Sequence, residues 1–491
     1  MSRLPVNLYS AEQVRELDRR VIEDEGVDSY GLMCRAGEAA FHALRDEWPG
    51  ARGVVVLAGK GNNGGDGYVI ARLAAAAGMR ATLVRVGDHA GLKGSAARAA
   101  RDCEVAGVAV EDFGTGLPPA DIYVDALLGT GLDRPLRGDI RDAVRAVNDT
   151  GAPVFAVDVP TGLNADTGAV MGSCVDASLT ATFIGCKAGL LTGEGPAQCG
   201  RLVFDSLNAP ERVYRDLAPM ARRLTGDDLR EAMPPRRRTA HKGRFGHVLV
   251  VGGDQGMAGA ARMAGEAAAR SGAGLISVAT LPDHVAAVVG GRPELMTHGV
   301  HRGSDLTGLL ERATVVALGP GLGRSPWSKS LWLAVMASEK LLVLDADGLN
   351  WLARMPRRRA RWVLTPHPGE AARLLGVEPA DVQRDRFAAV AELAERFAAT
   401  VVLKGAGTLV AAPGETPALC DLGNPGMATG GMGDVLTGVI AGLAAQGLAP
   451  FRAAGIGVLA HAMAADAAAA AGERGLIATD LFETLRTVLN P

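Results

Sequence analysis

Short β-branched and aliphatic runs alternate with longer alanine-rich amphipathic stretches along the whole chain. In the first half the runs fall at Val54–Leu57, Thr82–Val86, Ile122–Ala126 and Val154–Val157, with helical stretches such as Gly67–Ala77 between them. The second half repeats the style at His247–Val251, Leu275–Ala279, Val315–Leu318, Leu341–Leu344, Trp362–Leu364 and Val401–Leu403. Strands alternating with helices predict mostly parallel sheets covered on both faces, so the expected fold class is α/β with two doubly wound domains. Ser10-Ala11-Glu12-Gln13, ahead of an amphipathic stretch, reads as a capping box that opens an N-terminal helix.

Between the halves, Leu207–Arg244 has no clean period and carries Pro210, Pro234-Pro235, Arg236-Arg237-Arg238 and Lys242. The boundary is therefore placed near residue 220, with domains expected over residues 1–215 and 224–491. The arginine run is read as a solvated linker in preference to a phosphate-contacting patch. Arg357–Arg359 with Arg361 is read as an exposed helix end.

Composition narrows the class. The 491 residues hold 65 glycines without Ser/Pro low complexity, nearly twice the average share of about 7%. Such glycines serve tight turns and close backbone approaches to ligands. A net charge of −3 provides no basic field for nucleic acid or an acidic membrane. Cys34, Cys103, Cys174, Cys186, Cys199 and Cys420 are scattered with no C-x-x-C pair, which points to isolated buried thiols and away from a zinc or redox framework. The N-terminus has no apolar signal-type core, and the uncharged stretch Val435–Phe451 is broken by glycines, a Gln and a Pro. It falls short of the roughly 18–20 apolar residues that a membrane span requires. A cytoplasmic protein without a membrane partner is expected.

Three features of the first half follow predicted strands, where open α/β sheets place their ligands. Gly59-Lys60-Gly61-Asn62-Asn63-Gly64-Gly65-Asp66-Gly67 follows Val54–Ala58, and its backbone N–H groups can face an anion at a helix N-terminus. Its G-x-G-x-x-G is a weak dinucleotide signal, because no acid ends a strand at the usual spacing. Asp125 ends the next run and leads into Gly129–Pro135; Asp158 and Thr161 follow Val157. Two strand-end carboxylates with Asn and Thr oxygens can hold a hard monovalent cation or position a proton donor.

In the second half, Asn424-Pro-Gly-Met-Ala-Thr-Gly-Gly-Met-Gly-Asp434 precedes the apolar stretch Val435–Ala445. Gly430, Gly431 and Gly433 can present N–H groups to a transferring phosphoryl group, and Asp434 can take a proton from an attacking hydroxyl. Lys404-Gly-Ala-Gly-Thr408, Thr365-Pro-His367-Pro-Gly-Glu370 and Gly319-Pro-Gly-Leu-Gly323 complete a ring of strand-end loops.

With its Gly-Asn-Asn-Gly-Gly-Asp-Gly loop, its Asp158-Val-Pro-Thr-Gly turn and Leu32-Met-Cys-Arg-Ala-Gly37, the segment 1–215 resembles the NAD(P)H-hydrate epimerase family, which implies a Rossmann-like fold. By that similarity Asn62, Asn63, Gly64, Gly65 and Asp66 contact the hydrated nucleotide, as do Gly129, Thr130, Gly131, Leu132, Asp133, Arg134, Pro135 and Asp158. Asn63, Asp125 and Thr161 match a potassium site, and Asp158 is the general acid/base candidate.

From about residue 224 the chain resembles the ribokinase-like superfamily and, within it, the ADP/ATP-dependent NAD(P)H-hydrate dehydratases. The marks are His241-Lys-Gly-Arg-Phe-Gly-His-Val, Arg270-Ser-Gly-Ala-Gly-Leu and the three glycine- and proline-rich loops above. The resemblance implies that Gly323, His367 and Asp434 contact the hydrate, with Asp434 as catalytic base. It implies that Lys404, Gly405, Ala406, Gly407 and Thr408, with Asn424, Gly426, Thr429, Gly430, Gly431, Met432 and Gly433, hold the adenine nucleotide.

Both domains in one chain are similar to the bifunctional NAD(P)H-hydrate repair family. That implies epimerisation of R and S hydrates (NADHX and NADPHX) and dehydration of the S epimer at the expense of ADP or ATP. Fusions of this kind are typical of bacteria, where ADP is consumed and AMP and phosphate are released. Magnesium at the phosphates and a homo-oligomer are expected, and the near-neutral charge offers no footprint for a nucleic-acid partner. A ribokinase-like small-molecule kinase with an unrelated N-terminal domain, and a non-enzymatic nucleotide-sensing scaffold, are the competing readings. Neither accounts for acid, cation and phosphate elements in both halves.

Overall fold

The run Gly53–Ala58 (β1) is buried along its whole length because the two faces of its sheet are both covered. Val54, Val56 and Ala58 join one apolar cluster with the helices Ser29–Glu47 and Asn62–Ala76, whereas Val55 and Leu57 join another with the helix Gly138–Asp149. The computed structural model describes residues 4–114, 116–359 and 361–491. The chain divides into two units, Met1–Arg222 and Arg223–Pro491.

In the first unit β1 is followed by Arg80–Arg85 (β2), Ala109–Asp112 (β3), Ile122–Ala126 (β4), Val154–Val157 (β5), Leu179–Phe183 (β6) and Arg201–Asp205 (β7). The order is β3-β2-β1-β4-β5-β6-β7, and each pairing is parallel. The winding reverses between β1 and β4, so a crevice opens beyond their C-terminal ends. Chain entry to that crevice is close-packed: a Cβ on Gly59 would lie 2.0 Å from the Leu127 carbonyl oxygen.

The second unit is built around His247–Val251 (β8), Leu275–Thr280 (β9), Met296–Gly299 (β10), Val315–Leu318 (β11), Leu341–Leu344 (β12), Trp362–Leu364 (β13), Thr400–Leu403 (β14), Thr408–Ala411 (β15) and Ala418–Cys420 (β16). Their order is β10-β9-β8-β11-β12-β13-β14-β15-β16. Pairing is parallel as far as β14; β15 and β16 are antiparallel additions. The helix Met432–Ala445 lies against the helix Ala258–Arg270 through small residues. Gly438 and Gly442 let it approach until their Cβ positions would be 2.1 Å from the Ala264 carbonyl oxygen and 2.8 Å from that of Ala268. Among the described residues one helical segment, Pro450–Ala471, is long and apolar enough to cross a membrane, and 67% of that window is buried inside the protein.

The predicted α/β class and doubly wound order are found, with the capping box at Ser10 and Gln13 in place. Helix starts differ. The helix expected from Gly67 begins at Asn62, and the one expected from Val435 begins at Met432. Glycines that look like loop residues are helical there because neighbours leave no room for a side chain. A Cβ on Gly64 would meet the Gly59 carbonyl at 1.8 Å, one on Gly65 the Met33 side chain at 2.5 Å, and one on Gly67 the Ala126 side chain at 2.6 Å. Arg357–Arg359 is not a helix end: the preceding helix stops at Arg354, and Arg359 donates to the Lys340 carbonyl at 2.5 Å.

Candidate active sites

The crevice of the first unit is a cleft of about 350 Å³. Asn62, Asn63 and Asp66 line it from the first turns of their helix, Gly129, Thr130 and Gly131 from the loop after β4, and Asp158 from the end of β5. Asp158 has φ +69°, a left-handed conformation that is uncommon outside glycine and that turns its carboxylate into the cleft. Its Oδ1 accepts from Lys187, an almost fully buried side chain whose Nζ also donates to Thr182 Oγ1 at 3.0 Å and the Phe183 carbonyl at 3.2 Å. The Oδ2 atom faces Gly129, where a Cβ would sit 3.1 Å away. Burial, with repulsion from Asp158 and Asp18, pushes Asp66 well above the usual carboxylate range. Burial likewise raises Asp18 to about 6, Asp158 adding to the shift and Lys187 opposing it.

Beneath the cleft, Asp125 Oδ2 accepts from the Thr161 N–H at 2.7 Å and Oδ1 from the Thr161 hydroxyl at 2.7 Å. Burial raises Asp125 to about 6, opposed by the hydrogen bonds from Thr161 and Leu127. Both amide atoms of Asn63 are buried with no hydrogen-bond partner among the described residues. Asn63, Asp125 and Thr161 therefore offer hard oxygens and one orphaned amide, a donor set that suits an alkali cation. Other predicted contacts are not brought in. Gly64 and Gly65 are packed behind the helix, while Leu132, Asp133, Arg134 and Pro135 lie outside the cleft lining. Asp133 and Arg134 form a solvent-exposed pair at 3.6 Å.

In the second unit the loops after β11, β12, β13 and β14 supply the chemistry. Lys404, just after β14, donates to Asp345 Oδ1 at 2.8 Å and lies 3.9 Å from Glu370. Thr437, on the helix Met432–Ala445, donates to Asp345 Oδ2 at 2.8 Å. Gly433 faces the same pair: a Cβ there would be 3.2 Å from Lys404 Nζ and 3.4 Å from Asp345 Oδ2. Asp434 is thereby raised to about 7, by burial first and then by Asp345, with Lys404 opposing. Burial pushes the Lys404 ammonium down, but Asp345 and Glu370 more than offset this and hold it above its usual value.

His367 caps the helix Pro368–Leu375: its Nδ1 accepts from Gly369 N–H at 3.1 Å, and its own N–H donates to Glu370 at 2.9 Å. Gly323 has φ +70°, and its N–H donates to Asp347 at 2.9 Å. The Lys404–Thr408 turn closes with Thr408 Oγ1 donating to the Gly405 carbonyl at 2.9 Å. Asn424 bonds Asp466 at 2.8 Å and accepts from Gly426 N–H at 3.0 Å, so its side chain pins the loop. Gly431 takes φ +92° at the N-cap, Met432 is buried, and Gly430 has open space where a side chain would be.

Residues 29–189 match the family described as the YjeF-related protein N-terminus, and residues 248–487 match the NAD(P)H-hydrate dehydratase family. The bifunctional NAD(P)H-hydrate repair enzyme of Coxiella burnetii is 51% identical over 486 residues, covering 99% of each chain. The chain belongs to the family of bifunctional NAD(P)H-hydrate repair enzymes. The Escherichia coli repair enzyme is 45% identical over 490 residues, which cover 99% of this chain and 95% of its own length. Among solved structures, a ribokinase-like superfamily protein from Enterococcus faecalis covers 55% of this chain and 95% of its own at 30% identity, with a TM-score of 0.52.

Three residues of this repair-family chain escape a motif reading. Lys187 and Asp345 are an ordinary Lys and a strand-end Asp until folding sets them against Asp158 and Lys404. Arg386, fully buried, donates to the carbonyls of Leu403 at 3.2 Å, Lys404 at 3.3 Å and Gly407 at 3.5 Å. Two further clefts of the second unit, about 300 Å³ beside Arg236 and Phe245 and about 630 Å³ beside Lys340, contain none of the residues predicted to contact hydrate, nucleotide or metal. Arg236, one of the three linker arginines, is anchored: it lies 3.7 Å over the Phe245 ring and donates to the Gly272 carbonyl at 2.7 Å.

Proposed function

We propose that residues 1–215 interconvert the R and S hydrates of NADH and NADPH, and that residues 224–491 dehydrate the S epimer with ADP or ATP. The observation that carries this reading is a pair of unlike strand-end sites in one chain. One is a cleft with Asp158 held by a buried lysine; the other sets Asp434 at a helix N-terminus beside Lys404 and Asp345.

In the second site Asp434 takes the proton of the C6 hydroxyl as its oxygen attacks the terminal phosphorus. A base near neutrality is matched to that task, and its elevation to about 7 supports the role. The ring nitrogen lone pair then expels phosphate, and loss of a C5 proton restores the dihydronicotinamide. Lys404 and the N–H groups of Gly430, Gly431 and Gly433 are assigned to the phosphates, and Gly323 and His367 to the hydrate. Asp345 and Glu370 already face Lys404, so magnesium would be held chiefly by phosphate oxygens, whose charge it neutralises. In the first site Asn63, Asp125 and Thr161 would hold potassium, which would supply a fixed positive charge beneath the cleft; Asp158 handles the proton at C6. Small molecules are the partners in this reading, and the chain works as a homo-oligomer in the cytoplasm.

The test is to incubate the chain with mixed R and S hydrates, magnesium and ADP or ATP, and to follow NADH absorbance. Full recovery at a rate proportional to enzyme is expected. Recovery that stops at the S fraction removes the epimerase assignment, and none at all removes the dehydratase.

A further inference from the structure

In the elimination–addition route to inversion at C6, the hydroxyl leaves one face of the ring and is restored on the other. Two proton-transferring groups let loss and return of the hydroxyl each have an acid or base in reach. We infer that Asp18, on the N-terminal helix, is a second catalytic acid/base of the epimerase cleft beside Asp158; this rests on the epimerase reading above.

The geometry begins in the sequence. The capping box of Ser10 and Gln13 starts the helix Ala11–Arg19, which continues as a π-helical turn over Arg20–Asp24. Val14, Asp18 and Ile22 recur at intervals of four and all line the cleft, so Asp18 is the single acid in an otherwise apolar stripe of one helix face. That helix is stitched to the strand-end segment bearing Lys187. Tyr9 N–H donates to the Cys186 carbonyl at 2.9 Å, and Ala188 N–H donates to the Tyr9 carbonyl at 3.1 Å. Gly185 permits the approach: a Cβ there would lie 2.8 Å from Val14 and 3.2 Å from Leu17. Asp18 thus enters from a helix outside the sheet, whereas Asp158 enters from a strand end. Among the described residues its carboxyl has no hydrogen bond, unlike Asp158, which Lys187 holds. A carboxyl lining a cleft with no structural partner is free to exchange a proton. Its surroundings are mixed: Lys187 attracts it, Asp158 and Asp66 repel it, Tyr214 lies in its field, and Arg15 lines the same cleft. The result, about 6, keeps both protonation states populated near neutrality.

The step balances without any redox partner. Protonated Asp18 gives its proton to the C6 hydroxyl; the C6–O bond breaks, water departs, and the ring nitrogen lone pair forms a C6=N1 iminium. A water on the opposite face adds to C6 while Asp158 takes its proton, and the iminium electrons return to nitrogen. One water leaves, one is added, and the reverse direction exchanges the two roles. Groups acting in opposite senses are what this reversible route requires.

The experiment uses the full chain without nucleotide, so that dehydration is silent. Purified S hydrate is supplied, and the R epimer is resolved by chromatography over time. Asp18→Asn should lower kcat by about 100-fold or more, with KM within about threefold of wild type. It should also abolish the part of the pH profile centred near 6. Asp18→Glu should recover at least about tenfold over Asp18→Asn, which an unfolded or merely loosened helix would not permit. Asp18→Asn retaining wild-type kcat, or losing rate through KM alone, would overturn the assignment. Wild-type chain that fails to interconvert the hydrates overturns instead the epimerase reading on which it rests.

Discussion

Arg386→Met tests whether the nucleotide turn is held from beneath. The guanidinium is fully buried and donates to the carbonyls of Leu403, Lys404 and Gly407 and, at 2.8 Å, to Gln383 Oε1. Gly405 packs on it with φ +136°, its Cβ position 3.0 Å from Arg386 Nη1. Methionine keeps much of the apolar stem and none of the donors. Three carbonyls losing charge-assisted partners cost about 1 kcal/mol or more each, so the variant should lose roughly 3–5 kcal/mol. Part of the gross loss is offset, because burial of the cation is itself unfavourable and lowers its pKa to about 10. At about 2 °C per kcal/mol for a unit of this size, the second unit should melt roughly 6–10 °C lower. Lys404 and Thr408 flank the same turn, so the ADP KM should rise about tenfold, while epimerisation is untouched. Calorimetry of the full chain, with residual epimerase and dehydratase activity after heating, reads both effects. A variant melting within about 2 °C of wild type, with an unchanged nucleotide KM, would refute the reasoning.

Asp434→Asn should cut dehydration by about 100- to 10,000-fold while equilibrium dialysis shows nucleotide still bound. The same variant reports on stability: the folded pKa of about 7 lies above the ordinary 3.8, so the folded chain retains a proton that the unfolded chain releases. That stabilisation is present below 3.8 and is lost as pH rises through about 7, so the melting temperature of Asp434→Asn relative to wild type should climb between those values. A difference independent of pH would contradict the burial argument. Lys404→Ala should raise the ADP or ATP KM by at least about tenfold, because its cation is assigned to the phosphates, and leave epimerisation unchanged; equal loss of both activities would show that the sites are not separable. Asp158→Ala should leave S-hydrate dehydration normal, with the R hydrate consumed only at its spontaneous rate. A slow phase that still accelerates with added enzyme would reduce Asp158 to a structural residue.

Much of the architecture is legible before folding because it depends on local composition. The runs Ile122–Ala126, Val154–Val157, Val315–Leu318 and Leu341–Leu344 are strands with the predicted bounds, since a strand buried on both faces must be apolar throughout. Several of the strands that escape mix in polar residues, such as Ala109–Asp112, Arg201–Asp205 and Met296–Gly299. Each is at or near a sheet edge, where neighbours on one side are missing and no apolar run is demanded. Asp434 stands out in the sequence through its glycine context, and Asp158 through its strand-end place.

The chain by itself determined that there are two mostly parallel α/β sheets and that glycine-rich loops follow their strands, because periodicity and turn chemistry are properties of neighbours in sequence. Only the tertiary structure decided which charges meet. Lys187 reaches Asp158 across 29 positions, Asp345 receives Lys404 across 59, and Thr437 reaches Asp345 across 92. Such pairings are set by strand order and helix packing, which bring distant residues together in a desolvated space, and that desolvation is the first cause raising Asp18 to about 6 and Asp434 to about 7.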